Sequence, residues 1–260
     1  NRNDSLFVYV SFMDVSNSQK ASVMKYDGSS WSYVGKAGFS SGRVRSTSLS
    51  KDYEGNLYFS FANTSYGAKA SVMVFSKEWI DAGNLKSMAT SSNTEQHSLE
   101  LDYKDNPHIA FTDSDNGDKA TVMIYTKSPP NWSVVGSAGF TPDTANFTSL
   151  AFDKNNTPYV AFQDGGNSDK ASVMKYDGSS WVDVGKPGFS NGKAQYTRLV
   201  IDKNGTPYVA FVDSTKNDYI TVMKYNGSSW VDVGNSGFSA DQIWHPSIAL
   251  NNTGTPYVSF

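Results

Sequence analysis

The sequence of 260 residues contains no cysteine, which excludes disulfides, thiolate nucleophiles and most structural zinc sites. Charge is also scarce: Asp, Glu, Lys and Arg make up 18% of the residues, and the formal net charge is −3. A nucleic-acid groove or a surface for anionic membranes needs clustered Lys and Arg, so the composition argues against both. Because no apolar run approaches the roughly 18 residues that span a bilayer, membrane insertion is not expected.

The chain is instead dominated by a tandem repeat of about 50 residues. Three markers stay in phase along it. Runs similar to Tyr-Val-Ala-Phe end at Phe12, Phe61, Phe111, Phe162, Phe211 and Phe260. Val-Met pairs end at Met24, Met73, Met123, Met174 and Met223, and tryptophan recurs at Trp31, Trp79, Trp132, Trp181 and Trp230. Three markers in phase over five periods indicate one repeated supersecondary unit.

One unit, read over residues 148–189, predicts four short strands at 150–152, 158–162, 172–176 and 181–185. Tight turns rich in Asp, Asn, Gly and Ser join the first two runs and the last two. A longer polar loop joins the second run to the third, and no helical period is present. Each unit is therefore predicted to be a four-stranded antiparallel meander.

A lone meander cannot bury both of its faces, so successive units must pack face to face, and an all-β propeller is the predicted fold. We expect a single domain over 1–260, with repeats at approximately 1–45, 46–97, 98–147, 148–196 and 197–245 and a partial repeat at 246–260. Five blades are favoured, because a first strand at 247–250 would then complete the first unit, which begins at its second strand. Six blades, or a piece of a longer array, is the alternative, since 256–260 repeats the second strand again.

Loop length distinguishes the two faces of such a propeller. Connections from strand one to two and from strand three to four are short and repetitive. Connections from strand two to three, and from strand four to the next unit, are longer and more variable and open on the other face. Binding sites concentrate in variable loops on a rigid scaffold, so this variable face, near the central opening, is the predicted site.

The strand-one to strand-two turns carry a resemblance to a known repeat. Its carriers are Asp202-Lys203-Asn204-Gly205-Thr206-Pro207-Tyr208-Val209 and Asp52-Tyr53-Glu54-Gly55-Asn56-Leu57-Tyr58. They resemble the Asp-x-x-Gly-Asn-x-Tyr-Val core of NHL-type repeats in bacterial extracellular β-propeller proteins, some of which are lectin-like. The resemblance covers the whole chain but is specific only for architecture. It implies a lectin, an adhesion or matrix module, a protein scaffold or, less commonly, an enzyme.

Acidic residues mark the loop between strands two and three. Three units carry two carboxylates five residues apart: Asp113 and Asp118, Asp164 and Asp169, and Asp213 and Asp218. Carboxylates among Gly and Asn could accept hydrogen bonds from sugar hydroxyls or hold Ca²⁺, with Asp113, Asp115 and Asp118 as the most calcium-like set. The alternative is a turn whose first Asp bonds its own backbone. Apart from calcium, no cofactor is expected.

One position before each first strand differs in every unit. The series is Ser46, Gln96, Phe147, Tyr196 and His245, with Trp244 beside the last. These residues should lie near the channel mouth, where they could contact a ligand or simply pack. Tyr196, Trp244 and His245 therefore join the aspartates as candidate ligand-binding residues.

Three repeated features are expected to be structural. The tryptophan should wedge between blades with its indole N–H bonded to backbone, and the Val-Met pair should be core. Gly-Phe, at 38–39, 139–140, 188–189 and 237–238, should anchor the connection between blades. The second unit lacks Gly-Phe and has 84–88 there instead, which predicts an irregular blade.

Catalysis is not expected, because His97, His108 and His245 fall on separate segments without metal-ligand spacing and the polar groups repeat. Residue usage rich in Ser, Thr, Asn and Gly, without cysteine, favours a secreted or surface-displayed protein. We therefore expect a non-enzymatic binding propeller, with carbohydrate as the preferred ligand. The alternatives are a structural or adhesion module that contacts another surface protein, and a glycosidase or lyase.

Overall fold

A computed structural model describes residues 7–66, 69–82, 97–127 and 130–260 of the chain. These residues form β-strands, tight turns and single-turn 3-10 helices, and the strands group into six antiparallel sheets. The all-β prediction is therefore confirmed. The predicted irregularity at 84–88 lies outside the described residues, as does Gln96.

The strands follow the chain in order through the six sheets. Sheet 1 contains β1 (Val8–Asp14), β2 (Lys20–Tyr26) and β3 (Trp31–Tyr33). Sheet 2 contains β4 (Val44–Lys51), β5 (Leu57–Asn63), β6 (Lys69–Phe75) and β7 (Trp79–Asp81). Sheet 3 contains β8 (His97–Leu101), β9 (Pro107–Asp113), β10 (Lys119–Lys127) and β11 (Pro130–Val134).

Sheet 4 contains β12 (Ala145–Phe152), β13 (Pro158–Asp164), β14 (Lys170–Tyr176) and β15 (Trp181–Asp183). Sheet 5 contains β16 (Ala194–Ile201), β17 (Pro207–Asp213), β18 (Tyr219–Tyr225) and β19 (Trp230–Asp232). Sheet 6 contains β20 (Ser247–Leu250) and β21 (Pro256–Ser259). A 3-10 turn follows the first strand of sheet 1, at Val15–Asn17, and the second strand of sheets 2 to 5, at Thr64–Tyr66, Ser114–Asn116, Gly165–Asn167 and Ser214–Lys216. Four sheets are thus the predicted four-stranded meander, which matches the blade of a β-propeller.

The turn between the first two strands shows why the repeat folds as it does. In sheet 5, Oδ1 of Asp202 accepts the N–H groups of Asn204 and Thr206 at 2.8 Å each. Gly205 adopts φ +86°, a left-handed conformation that glycine reaches without a steric cost. The aspartate and glycine of the repeat therefore close a tight hairpin, and the second strand must pair back onto the first.

The core lies between neighbouring sheets, as the repeat predicted. The phenylalanines at 61, 111, 162 and 211 are at most 1% exposed, and the valines of the Val-Met pairs are buried. The Val-Met prediction is confirmed for the valines and for Met174 and Met223, whereas Met24, Met73 and Met123 are half-buried. Burial of both sheet faces is what stabilises meanders that could not fold alone.

The repeated tryptophan joins each sheet to the one before it. Four indole N–H groups donate to carbonyl oxygens of the preceding sheet or the connection after it: Trp79 to Val34 at 2.8 Å, Trp132 to Ala82 at 2.7 Å, Trp181 to Val135 at 2.9 Å and Trp230 to Val184 at 2.8 Å. The phenylalanine of Gly-Phe stacks on three of these rings, with centroid separations of 4.3 Å for Phe39–Trp79 and 4.0 Å for both Phe140–Trp181 and Phe189–Trp230. The wedge prediction is confirmed for these four tryptophans and the anchor prediction for these three phenylalanines, whereas Phe238 is 43% exposed. Trp31, in the first sheet that the described residues form, is 47% exposed.

The last strands correct the prediction that 247–250 completes the first unit. β20 pairs with β21, with Ile248 opposite Val258, and not with β1. The cause is local, because Asn251 N–H bonds to Thr255 O at 3.0 Å and repeats the tight turn of the other units. That hairpin begins a sixth sheet, which packs beside the first strand of sheet 5. Among the described residues, no helix is long and apolar enough to cross a membrane.

Candidate functional site

The first aspartate of each acidic loop lies inside the fold. Asp113, Asp164 and Asp213 end the second strand of their sheets and are at most 2% exposed. Oδ2 of Asp164 accepts hydrogen bonds from Asn167 Nδ2 at 2.9 Å and from Ser172 Oγ at 2.6 Å. The same residue therefore ties the loop to the third strand.

The hydroxyl that Asp164 holds extends this link to the next connection. Ser172 Oγ also accepts the N–H of Gly188, at 2.8 Å, within the Gly-Phe anchor. The network recurs in sheet 1, where hydrogen bonds from Ser16 and Ser22 lower the pKa of Asp14 to about 2. Sheets 3 and 5 repeat it with threonine: Thr121 and Thr221 bond to Asp113 and Asp213. These contacts favour the turn interpretation of the first aspartates.

The second aspartates have a different role. Asp118, Asp169 and Asp218 have φ values of 57°, 62° and 62°, in the left-handed region. Their backbone carbonyl oxygens accept hydrogen bonds from N–H groups at or just before the first strand of the next sheet. The donors are Ala145, Ala194 and Ile243, respectively. The Asp169 carboxylate contacts Lys193 Nζ at 2.7 Å on the surface. The variable loop and the start of the next sheet therefore meet on one face, as the strand order predicted.

The calcium candidates do not form a cluster. Asp113 is buried in the network above, whereas Asp115 and Asp118 are exposed. Within the described ranges, no three His, Asp or Glu side chains are close enough together to hold a metal ion.

The variable position before each first strand is a backbone irregularity. Ser46, Phe147, Tyr196 and His245 have φ values of 44°, 53°, 53° and 56°, in the left-handed region that bulky residues rarely adopt. The pairing of the first and second strands shifts register at this point in sheets 2, 4 and 5. Such a β-bulge re-aims a side chain, and strain of this kind tends to be kept where it serves function.

The bulges bring their side chains together. The rings of Phe147 and Tyr196 are 4.6 Å apart between centroids, and those of Tyr196 and His245 are 4.4 Å apart. Trp244, which is 67% exposed, meets Tyr196 edge-on at 6.3 Å. Three residues from separate repeats, with Trp244 beside them, therefore form one continuous aromatic wall.

This wall borders a central cavity of about 650 Å³. Its lining consists of Ser46, Thr47, His97, Phe147, Thr148, Tyr196, Arg198 and His245, drawn from the first-strand region of sheets 2 to 6. Its volume is in the range of small-ligand sites, and its lining combines aromatic rings with hydroxyl, imidazole and guanidinium groups. The structure thus brings Tyr196, Trp244 and His245 together, whereas Asp113, Asp164 and Asp213 lie buried within separate sheets.

Sequence reasoning missed Arg198. It occupies the position that is serine in the other units, at Ser48, Ser98, Ser149 and Ser247. An alignment of the repeats would have identified it, because Arg198 is a cation at a position where the other units have serine. His97 was also placed on an isolated segment by the sequence, yet it lines the same cavity as His245.

Glu100 is the second residue that departs from its repeat position. It lines a deeper part of the channel with Arg198, where the other units have Ser50, Ala151, Val200 and Ala249. Its side chain is exposed to the channel, and partial desolvation there raises the pKa of its carboxyl group. By contrast, His108 is a packing residue, as expected: it is 4% exposed, contacts Phe152, and desolvation lowers its pKa.

Comparison with known proteins gives structural neighbours only. No family profile and no curated protein matches the chain. The six-bladed propeller lectin of Aleuria aurantia superposes with a TM-score of 0.65 at 13% identity, covering 99% of this chain and 88% of the lectin. An ulvan lyase, a polysaccharide lyase, gives 0.63 at 11% identity, with 95% and 72% covered. An endo-arabinase from Bacteroides thetaiotaomicron gives 0.55 at 14% identity, with 84% and 89% covered.

These likenesses establish the β-propeller architecture. Their identities are too low to carry a function, and the neighbours include both lectins and enzymes. The NHL-type resemblance is not tested by them. Function must therefore be argued from the cavity and its residues.

Proposed function

We propose that this protein is a non-enzymatic carbohydrate-binding propeller whose site is the cavity at the channel mouth. The observation that carries the proposal is the bulged aromatic wall of Phe147, Tyr196 and His245 around one cavity. Flat rings pack against the C–H face of a sugar, while hydroxyls such as those of Ser46 and Thr47 exchange hydrogen bonds with it. Sugar-binding proteins among the structural neighbours support the same class of ligand.

Secretion or surface display remains part of this proposal, resting on composition alone. We also propose that 1–260 is a single domain, on the basis of the repeat that runs along it. The acidic loops take a secondary place, because their first aspartates are engaged in internal hydrogen bonds. Asp118, Asp169 and Asp218 lie on the same face and would contact only the outer part of a longer ligand.

The test is a glycan array followed by calorimetric titration of the best ligand against two matched variants. Tyr196→Ser removes a ring of the wall and installs the residue that the repeat itself has at Ser46, so the bulge is preserved. We expect the dissociation constant to rise about tenfold or more, which corresponds to roughly 1.4 kcal/mol. The control Tyr53→Ser removes an exposed tyrosine from a strand-one to strand-two turn on the opposite face and should leave affinity unchanged.

Two results would contradict the proposal. One is the absence of any glycan signal from folded protein. The other is a ligand whose affinity is the same for Tyr196→Ser as for the unaltered protein.

A catalytic alternative is favoured by one observation. His97, Tyr196, Arg198 and His245 line the same cavity, and such groups can transfer protons and hold an acidic substrate. New reducing ends from a polysaccharide panel incubated with the protein, lost in a His245→Ala variant, would replace the binding proposal with this one.

A further inference from the structure

Arg198 replaces a serine whose hydroxyl, in three other units, forms a hydrogen bond to the next sheet. In three units the serine at this position accepts the N–H of a leucine in the next sheet: Ser48 from Leu99 at 3.2 Å, Ser98 from Leu150 at 3.2 Å and Ser149 from Leu199 at 2.9 Å. A guanidinium group has no acceptor atom, so Arg198 cannot make this bond to the sixth sheet. The substitution therefore gives up a contact between sheets.

The same substitution places a positive charge at a partly desolvated position. Arg198 is half-buried, and desolvation lowers the pKa of its guanidinium, which nonetheless stays charged near neutral pH. Its Nη1 donates to the carbonyl oxygen of Thr197 at 2.9 Å. Among the residues that the structure describes, no carboxylate lies within ion-pair distance of it. A partly buried charge without a counter-charge is unfavourable, and a bound anion would relieve that cost.

The surroundings define what kind of anion would fit. Arg198 lines the cavity together with the rings of Phe147, Tyr196 and His245 and the hydroxyls of Ser46 and Thr47. A bare inorganic ion would leave the aromatic wall unused, whereas a sugar ring would cover it. Glu100 lines the adjoining part of the channel, but among the described residues its carboxylate forms no ion pair with Arg198.

We propose that the cavity binds an acidic saccharide, with the guanidinium of Arg198 holding its carboxylate or sulfate group while the aromatic wall packs against the sugar ring. The fork of guanidinium N–H groups matches two oxygens of either group. The inference that the ligand is a saccharide rests on the proposed function, and the inference that it carries an acidic group rests on Arg198.

The experiment is calorimetric titration of the full chain and its variants with three probes: a trigalacturonate, a sulfated galactan oligosaccharide and a neutral galactan oligosaccharide. Arg198→Ser restores the residue of the other units and so should keep or raise the melting temperature. We expect it to weaken binding of an acidic probe by about tenfold or more, as loss of a charge-assisted hydrogen bond does. The two acidic probes distinguish a carboxylate from a sulfate ligand.

Two controls separate the arginine from charge in general. Lys203→Ser removes an exposed lysine on a strand-one to strand-two turn and should leave affinity unchanged. Arg198→Lys keeps the charge but loses the fork, and it should bind with intermediate affinity. Affinity of the unaltered protein for the acidic probe should also fall as salt is raised.

The remaining outcomes overturn the inference in distinguishable ways. If the neutral probe binds as tightly as the acidic ones and Arg198→Ser changes nothing, the acidic group is wrong and the proposed function stands. If inorganic sulfate binds as tightly as the acidic oligosaccharides, the site is an anion site without sugar specificity. If no probe binds and the glycan array is blank, both proposals fail.

Discussion

At the scale of the residue, the same amino acid has two roles that sequence alone did not separate. Asp164 and Asp169 lie five residues apart in one loop, yet Asp164 is 2% exposed and bonded to Asn167 and Ser172, whereas Asp169 contacts Lys193 at the surface. The hydrogen bonds of the loop decide the difference. Spacing of carboxylates could suggest a ligand site, but only the three-dimensional position of Ser172, on the third strand, identifies the structural use.

This difference yields a stability prediction. Asp164→Ala should lower the free energy of unfolding by about 2 kcal/mol or more, because two hydrogen bonds to a carboxylate are lost in a buried site. Asp169→Asn, which removes a surface ion pair but keeps a residue that tolerates the φ of 62° at this position, should change it by about 0.5 kcal/mol or less. Urea unfolding monitored by tryptophan fluorescence would measure both.

A reversed order of these two values would contradict the structural role of Asp164. If Asp164→Ala loses glycan binding while its stability is unchanged, Asp164 and the acidic loop would belong to the ligand-binding site.

At the scale of the element, neighbouring sheets are joined by hydrogen bonds. In each, the tryptophan indole of one sheet donates to a backbone carbonyl at the end of the preceding sheet. The repeat made this predictable, because tryptophan opened the fourth strand directly after a tight turn. Two element-level features were not predictable in the same way. The bulge at Phe147 and Tyr196 depends on φ values that their side chains disfavour, and the pairing of β20 with β21 depends on whether a neighbouring strand competes for it.

The tryptophan contact can be tested by one matched pair. Trp181→Phe removes the bond from Nε1 to Val135 O and part of the stacking on Phe140, and it should cost about 1–2 kcal/mol of unfolding free energy. Trp31→Phe alters a residue that is 47% exposed at the open side of sheet 1 and should cost about 0.5 kcal/mol or less. Equal costs in chemical denaturation would mean that the contact between sheets is not what makes the repeated tryptophan stabilising.

At the scale of the whole molecule, the repeated residues determine the scaffold. The positions at which one unit differs from the others line the proposed site. The architecture and the face with variable loops could be predicted from periodicity. The cavity could be predicted only in part: Tyr196, Trp244 and His245 were expected near the channel mouth, but Arg198 and Glu100 stood out only once the serine and small-residue positions were known to face a common channel. Residues that share a cavity from separate repeats leave no local spacing in the sequence.

The most direct measurement is a crystal structure of the protein with a glycan identified on the array. We expect density for a sugar in the cavity, packed on Tyr196 and His245, with any acidic group of that sugar beside Arg198. Density confined to the outer rim between sheets, or against Asp118, Asp169 or Asp218, with an empty cavity, would contradict it.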